Sequence, residues 1–359
     1  MRRRALAVRA RAAARPYAVA ARRRPRAGLR AGEAARKTDA MSSLRRVLRC
    51  LSLLLVAAPL ARGAIERVDN RVFPVQPGCT LKLDTYRGAI LVTEGDQPEI
   101  SVALTLRFAV DTEEEADRIR EALNLEMKAE GNTVAIRARN PRETRIRFVW
   151  HDKYQIDLSY VITVPRQCHV DLTTLNGGIK VGNLEGSLVA RADTGSISFK
   201  RITGSVDAKT NFGEILVSRC SGAVKLHVLR GTLRVGTVGG TADLKNDSGD
   251  IEVLGIRANA KVYCAAGDVT IGFYKGVAGD SRVDASGGNI YAKIDPEAAC
   301  AIEASSVFGR VESKLPVEVE TGALGKSRLT AKLNTGGPRL TLHANGGHVK
   351  LSSLDTALD

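Results

Sequence analysis

The sequence predicts an all-β fold: a β-solenoid, similar to a parallel β-helix, built from coils of 18 residues that each hold two short strands. One observation is the constant 18-residue interval between turn glycines, namely Gly195, Gly213, Gly231, Gly249 and Gly267. The other is that every column at this interval keeps its chemistry, so that apolar positions stay apolar. A fixed period with like residues in each column is typical of repeat architectures.

Apolar and polar residues alternate on both sides of each turn glycine. One apolar column before the glycine consists of Leu188, Val206, Val224, Ala242 and Ala260. One column after it consists of Ile197, Ile215, Leu233, Ile251 and Val269. Alternation with period two indicates a strand with one buried face. Glycine recurs between the strands because a sharp corner needs a backbone conformation that a Cβ opposes.

A single coil cannot bury its own apolar stripe, whereas coils stacked in register form a continuous core. Neighbouring parallel strands lie ~4.8 Å apart, so ten coils would extend roughly 50 Å. An antiparallel meander or sandwich is the alternative for the same strands. The constant period favours the solenoid.

The basic excess of the chain lies in its first 63 residues. The formal net charge is +15, and residues 1–63 hold 17 Lys and Arg against two acids. Residues 64–359 therefore keep 37 of the 54 basic and 37 of the 39 acidic residues. A protein that binds nucleic acid carries its basic excess on the folded domain. The sequence thus predicts no nucleic-acid partner.

The N-terminal region predicts export. Residues 1–40 form an Arg/Ala tract, interpreted as a disordered basic segment upstream of the true start, with a transit-like peptide as the alternative. Residues 41–63 have the form of a signal peptide, with Arg45, Arg46 and Arg49 before the apolar run LSLLLVAAPLA and small residues at its end. The apolar run is too short to span a bilayer comfortably.

The predicted location is periplasmic, cell-surface or secreted, with no integral membrane segment after signal removal. Residues 64–92 hold the first solenoid strands, in which CTLKLDTYRGAILV matches CHVDLTTLNGGIKV further along the chain. Residues 166–352 form the solenoid repeats, which loosen after Gly272, and residues 353–359 form a polar tail.

Residues 93–165 interrupt the repeat and predict an inserted α+β unit. Thr112 and Glu115 form a capping box before a short amphipathic helix, and strand patterns flank that helix. The insertion is expected either to cap the open end of the solenoid or to bind a partner. Trp150 lies in an aromatic cluster of the insertion, which is expected to pack against the solenoid or to contact a sugar or protein partner.

The strand that closes the insertion carries the form YxITVP, from Tyr160 to Pro165, and TLNGGIKV follows it. With the export signal and the helix-bearing insertion, this order resembles the bacterial putative-adhesin β-strand-repeat family of unknown function, related to head-GIN autotransporter-adhesin domains. The resemblance covers about residues 70–352. It implies a β-helix-like fold and an extracytoplasmic location, and it supplies no catalytic residues.

Asp250 and Asp268 lie one coil apart and are expected to stack beside the turn glycines. Carboxylates on neighbouring coils would suit a polysaccharide-active β-helix enzyme, and their oxygens could bind Ca²⁺. Thr232 interrupts this column, which favours the alternative that both acids are solvated turn residues. We therefore predict no catalytic residue, no cofactor-binding residue and no metal site.

Cys79 and Cys168 hold the same phase in two repeat-like segments. Stacked strands would bring their Cα atoms near disulfide range, and export permits oxidation. Small buried core residues are the favoured alternative. The resulting function prediction is an exported, non-enzymatic structural or binding protein of the cell envelope, adhesin-like, without a cofactor, with a surface glycan or an envelope protein as partner.

Overall fold

The computed structural model describes residues 64–139, 156–274 and 276–354, and for residues 320–325 it describes the backbone only. Within these residues it contains 27 strands and one helix, α1 (Glu113–Ala122). The strands at the N-terminal end are β1 (Ile65–Pro74), β2 (Cys79–Arg87), β3 (Ala89–Gly95), β4 (Glu99–Phe108), β5 (Asn124–Glu130), β6 (Thr133–Arg139) and β7 (Ile156–Pro165).

The regular coils follow in pairs of strands. They are β8 (Cys168–Asn176), β9 (Ile179–Val181), β10 (Leu188–Thr194), β11 (Ile197–Ile202), β12 (Val206–Phe212), β13 (Ile215–Cys220), β14 (Val224–Arg230), β15 (Leu233–Val238), β16 (Ala242–Asn246), β17 (Ile251–Ile256), β18 (Ala260–Cys264) and β19 (Val269–Phe273).

The C-terminal strands are β20 (Ser281–Ala285), β21 (Ile290–Ile294), β22 (Cys300–Ser306), β23 (Val311–Ser313), β24 (Val317–Gly325), β25 (Arg328–Leu333), β26 (Arg339–Ala344) and β27 (Val349–Ser353). Among the helices that the structure describes, none is long and apolar enough to cross a bilayer.

Each regular coil contributes one strand to each of two sheets. Sheet A has the order β1-β4-β7-β3-β9-β11-β13-β15-β17-β19-β21-β27-β23. Sheet B has the order β24-β25-β22-β26-β20-β18-β16-β14-β12-β10-β8-β2-β6-β5. Neighbouring coils run parallel, with Leu188 opposite Val206 and Ile197 opposite Ile215. The prediction of a parallel solenoid with an 18-residue repeat is confirmed.

The apolar columns of both sheets point inward and form one continuous core. Leu188, Ile197 and Ile215 are fully buried, as are the large side chains of Phe199 and Phe273. The polar members of each strand point outward, so that the alternation in sequence sets the two faces of each sheet.

The turn glycines stack on one another at the corner between the sheets. Gly177, Gly195 and Gly213 have φ values of 149°, 146° and 148°, in a region that residues with a Cβ rarely adopt. A Cβ on any of them would collide with the carbonyl oxygen of the turn glycine in the preceding coil. Glycine is therefore required both by backbone conformation and by the close approach of the coils.

The insertion extends both sheets at the N-terminal end. In sheet A, β7 pairs in parallel with β3 and antiparallel with β4. β1 pairs antiparallel with β4 and forms the edge of the sheet. In sheet B, β6 pairs in parallel with β2 and carries the antiparallel strand β5. Thr112 caps α1, because its Oγ1 accepts a hydrogen bond from the N–H of Glu115 (3.3 Å). Arg67 of β1 ties the helix down through Glu113 (2.7 Å) and Asp117.

The C-terminal coil does not occupy the last place in the stack. β26 lies between β20 and β22 in sheet B and is parallel to both, and β27 lies between β21 and β23 in sheet A. The hairpin of β24 and β25 then extends sheet B beyond β22. Residues 339–353 are thus inserted between two coils that precede them in the sequence.

Candidate binding surface

The outer face of sheet A carries exposed aliphatic side chains. They occupy outward positions on strands from the edge strand β1 to β17. The members are Val68, Val72, Leu91, Val161, Leu216 and Leu254. Leu254 is 57% exposed and Leu216 is 41% exposed, so neither contributes much to the core.

Basic side chains lie beside these aliphatic residues. In β11 and β13 the alternation breaks near the end of the strand, so that two consecutive residues face solvent before the last one turns inward. This irregularity exposes Lys200 together with Arg201 and places Arg219 opposite Arg201 on the next strand. We define the basic–aliphatic patch by six residues on the outer face of sheet A: Lys180, Lys200, Arg201, Leu216, Arg219 and Leu254.

The four cations of the patch form no ion pair with any residue that the structure describes. Arg201 and Arg219 are direct register partners on neighbouring parallel strands. Like charges at such positions destabilise a sheet. The adjacent Arg234 is different, because its guanidinium contacts Glu214 (2.8 Å) and Glu252 (3.2 Å). The patch is thus a local cluster of positive charge without a salt bridge to an acid of the described residues.

Glu94 of β3 is an acidic group near the patch. Hydrogen bonds from its own backbone N–H and from Asn183 hold the pKa of Glu94 below its ordinary value, and the charge of Lys200 adds to this effect. The backbone N–H of Asn183 lies 3.0 Å and its Nδ2 lies 2.7 Å from the carboxylate oxygens. The carboxylate is therefore oriented by Asn183 rather than by an ion pair with a cation of the patch.

The outer face of sheet B carries acidic residues among its cations. Along one column of register partners the charges alternate: Asp207, Lys225, Asp243 and Lys261. In the neighbouring columns Arg191 pairs with Asp207 (2.8 Å), and Asp247 contacts both His227 (2.9 Å) and Lys245 (3.2 Å). The outward positions of β9, β11 and β13 in sheet A, by contrast, hold four cations and no acid.

Asp250 and Asp268 stack on neighbouring coils, as their spacing predicts, and both carboxylates serve the corner. The N–H of Asp268 donates to Oδ1 of Asp250 (2.9 Å), and the N–H of Asn289 donates to Oδ1 of Asp268 (2.8 Å). The same arrangement continues in the next layers. The N–H of His348 donates to Oδ1 of Asn289 (2.9 Å), and the N–H of Arg310 donates to Nδ1 of His348 (3.0 Å). Each side chain thus satisfies a backbone donor of the next coil.

The described cysteines are buried free thiols. Cys79 and Cys168 are register partners on β2 and β8, so these two strands are neighbours in sheet B although residues 88–167 separate them in sequence. Burial raises the pKa of both thiols, and it raises the pKa of Cys264 and Cys300 to about 11. All these side chains are core residues here, the alternative that the sequence favours.

A groove of about 600 Å³ opens at the N-terminal end between β1, α1 and β5. Acidic and basic residues of both signs line it, with Leu123, Leu125 and Met127 as its apolar part. This mixture favours no single class of ligand.

Trp150 and its aromatic neighbours lie outside the described residues. In the described ranges no group of three His, Cys, Asp or Glu is arranged to hold a metal ion.

Charge summed over residues 64–359 conceals the basic–aliphatic patch, since basic and acidic residues balance there. The patch depends on which residues of each coil face outward in sheet A. The outward side chains of β9, β11 and β13 include four cations and no acid. Identifying those side chains requires the strand register and the break in alternation after Phe199 and Val217.

A family model described as Toastrack DUF4097 matches residues 118–352. Among curated proteins, none matches the chain. A solved structure described as a "putative adhesin" from Bacteroides fragilis is 12% identical, with a TM-score of 0.34, over 80% of this chain and 97% of that chain. A "putative lipid binding protein" from Parabacteroides distasonis is 10% identical, with a TM-score of 0.30, over 79% of this chain and 96% of that chain. Identities and TM-scores this low support no inference about what this chain binds.

Proposed function

The chain belongs to the Toastrack DUF4097 family. We propose that it is an exported, non-enzymatic binding module of the bacterial cell envelope. Its contact surface is the outer face of sheet A. The solenoid acts as a rigid scaffold that holds side chains of neighbouring coils at fixed spacing.

One observation carries this proposal: the cations of the basic–aliphatic patch form no ion pair with any described residue. Register pairing of Arg201 with Arg219 costs stability in the isolated protein. Exposed Leu216 and Leu254 gain nothing from the core. A surface that combines unpaired cations with exposed aliphatic groups is explained when a partner covers it.

An enzyme that uses Asp250 and Asp268 is the alternative function. Both carboxylates accept hydrogen bonds from backbone N–H groups of the next coil, which gives them a structural task. The non-enzymatic function therefore has the better support.

The export part of the proposal rests on residues 41–63, whose sequence has the charged start, apolar run and small residues of a signal peptide. Expression of residues 41–359 in a bacterium, followed by mass spectrometry of the N-terminus, tests it. We expect cleavage near Ala64 and recovery outside the cytoplasm. Retention of the intact chain in the cytoplasm would contradict export.

Binding of residues 64–359 to isolated bacterial cell envelopes tests the binding function. We expect sedimentation with the envelopes, and we expect the double variant Arg201→Gln/Arg219→Gln to lose most of it. The matched control is Lys209→Gln/Lys225→Gln, which removes the same charge from the outer face of sheet B. Equal binding by all three proteins would refute the proposed contact surface.

A further inference from the structure

The chemistry of the basic–aliphatic patch defines the class of partner that fits it. We propose that the patch docks on the surface of an anionic phospholipid bilayer, with its cations on lipid phosphates and its leucines in the headgroup region. This inference rests on the proposed function and specifies the partner of the same surface.

Charge complementarity requires an anionic partner. Lys180, Lys200, Arg201 and Arg219 lie on three neighbouring strands, and the outward positions of those strands hold no acid. A second copy of this chain would bring the same cations face to face, which excludes a symmetric dimer through the patch. Basic clusters beside a membrane are attracted to anionic lipids, and each Lys or Arg contributes a comparable share.

The apolar part of the patch distinguishes a bilayer from other polyanions. Leu216 lies on β13, the strand that also carries Arg219, and Leu254 lies two strands further along the same face. Aliphatic side chains gain free energy when they enter the boundary between headgroups and acyl chains. Recognition of single-stranded nucleic acid relies instead on aromatic side chains that stack on bases, and the patch contains none. An acidic polysaccharide offers the anions but no apolar phase for the leucines.

Register pairing places the outward side chains of β9, β11 and β13 next to one another on one face of the sheet. The strands of β9, β11 and β13 are paired in continuous parallel register, so the outward residues stand side by side. A planar membrane can therefore contact the cations and Leu216 at the same time. Val161 and Leu91 continue the aliphatic surface on β7 and β3, where they remain exposed.

Sedimentation with vesicles tests the proposal, with residues 64–359 as the protein. The probes are vesicles of phosphatidylcholine alone and vesicles of phosphatidylcholine with phosphatidylglycerol, each at low and high salt. We expect binding to the anionic vesicles only, and loss of binding at 1 M salt because charge interactions are then screened within about 3 Å.

Two double variants separate the contributions. Arg201→Gln/Arg219→Gln is expected to lower the partition coefficient about fivefold for each charge removed. Leu216→Ala/Leu254→Ala is expected to lower it about fivefold or more while leaving the salt dependence in place. The control Lys209→Gln/Lys225→Gln is expected to bind like the unmodified protein. Circular dichroism checks that every variant is folded.

Several outcomes would overturn the inference. Equal binding to neutral and anionic vesicles, or equal loss in the control variant, would show that the patch does not recognise anionic lipid. Binding to polygalacturonate without binding to vesicles would assign the patch to an acidic polysaccharide. If the arginine variant loses binding to cell envelopes while vesicles fail to bind the protein, the inference fails and the proposed function stands. If neither the arginine variant nor the leucine variant lowers binding to envelopes, the proposed function itself fails.

Discussion

At the scale of single residues, the corner glycines limit how closely the coils can stack. Gly177 has a φ of 149°, and its Cα faces the carbonyl of Gly88 in the preceding coil. The adjacent Gly178 has no such constraint, since a Cβ there would lie 3.4 Å from its nearest neighbour, the carbonyl oxygen of Ser196. The fold therefore requires glycine at position 177 but not at position 178.

Substitution of these two glycines by alanine tests the difference. Gly177→Ala is expected to lower the free energy of unfolding by about 3 kcal/mol, because alanine is strained at this φ and collides with the neighbouring coil. Gly178→Ala is the matched control and is expected to change it by about 0.5 kcal/mol or less. Urea unfolding followed by circular dichroism measures both. Similar values for the two variants would contradict the assigned role of the corner.

Single residues also show where sequence patterns stop being informative. Alternation predicts correctly that Ala208 and Leu244 point inward. It gives no reason for the polar side chains of Thr210 and Asn246, which lie two residues further on and are completely buried. Both donate to carbonyls of turn glycines in the preceding coil, at 2.9 Å each. Only the positions of the turns explain why polar groups are stable there.

At the scale of elements, the C-terminal coil has two neighbours that precede it in sequence. The sequence indicates strands in this region, because RLTAKLNTGGPRLTL and HANGGHVKL keep the strand and glycine pattern. It does not indicate their order in the sheets, since each apolar stripe fits any equivalent coil. The choice depends on which joints are long enough to cross a layer, and 18-residue spacing is lost there.

Truncation after Leu333 tests the inserted position of this coil. Loss of β26 and β27 is expected to detach β22 and its hairpin, so that residues 300–333 become sensitive to protease while residues 188–273 stay resistant. Limited proteolysis with mass spectrometry measures this. A control chain that ends at Leu354 should keep the full pattern of protection. Continued protection of 300–333 in the truncated chain would mean that β22 can pair directly with β20.

At the scale of the whole molecule, each coil contacts mainly the coils on either side of it. Stability in such a stack is approximately a sum of contributions from coils and from the interfaces between neighbours. The constant period between Gly177 and Gly267 made this part of the fold predictable from sequence. The proposed contact surface was not predictable, since it depends on outward positions across several coils and on the irregular ends of β11 and β13.

Removal of one complete coil tests this additivity. Deletion of residues 208–225 joins Asp207 to Leu226 and keeps the alternation, so we expect a folded protein whose unfolding midpoint falls by about 10 °C or less. Deletion of residues 208–226 removes one more residue and reverses the faces of the strand, which is expected to prevent folding. Thermal unfolding by circular dichroism compares the two. Equal behaviour of both deletions would contradict stacking in register.

The position of β26 and β27 also has a consequence for biosynthesis. A chain that leaves the ribosome from its N-terminus can first complete its layers only as far as β21, because the layer that follows in space is made after β22 to β25. Strands β22 to β25 must wait until Ser353 has emerged, or pair provisionally and move aside. Completion of this end of the protein therefore depends on synthesis of residues 339–353, and a product that stops before them leaves a strand edge exposed to proteases.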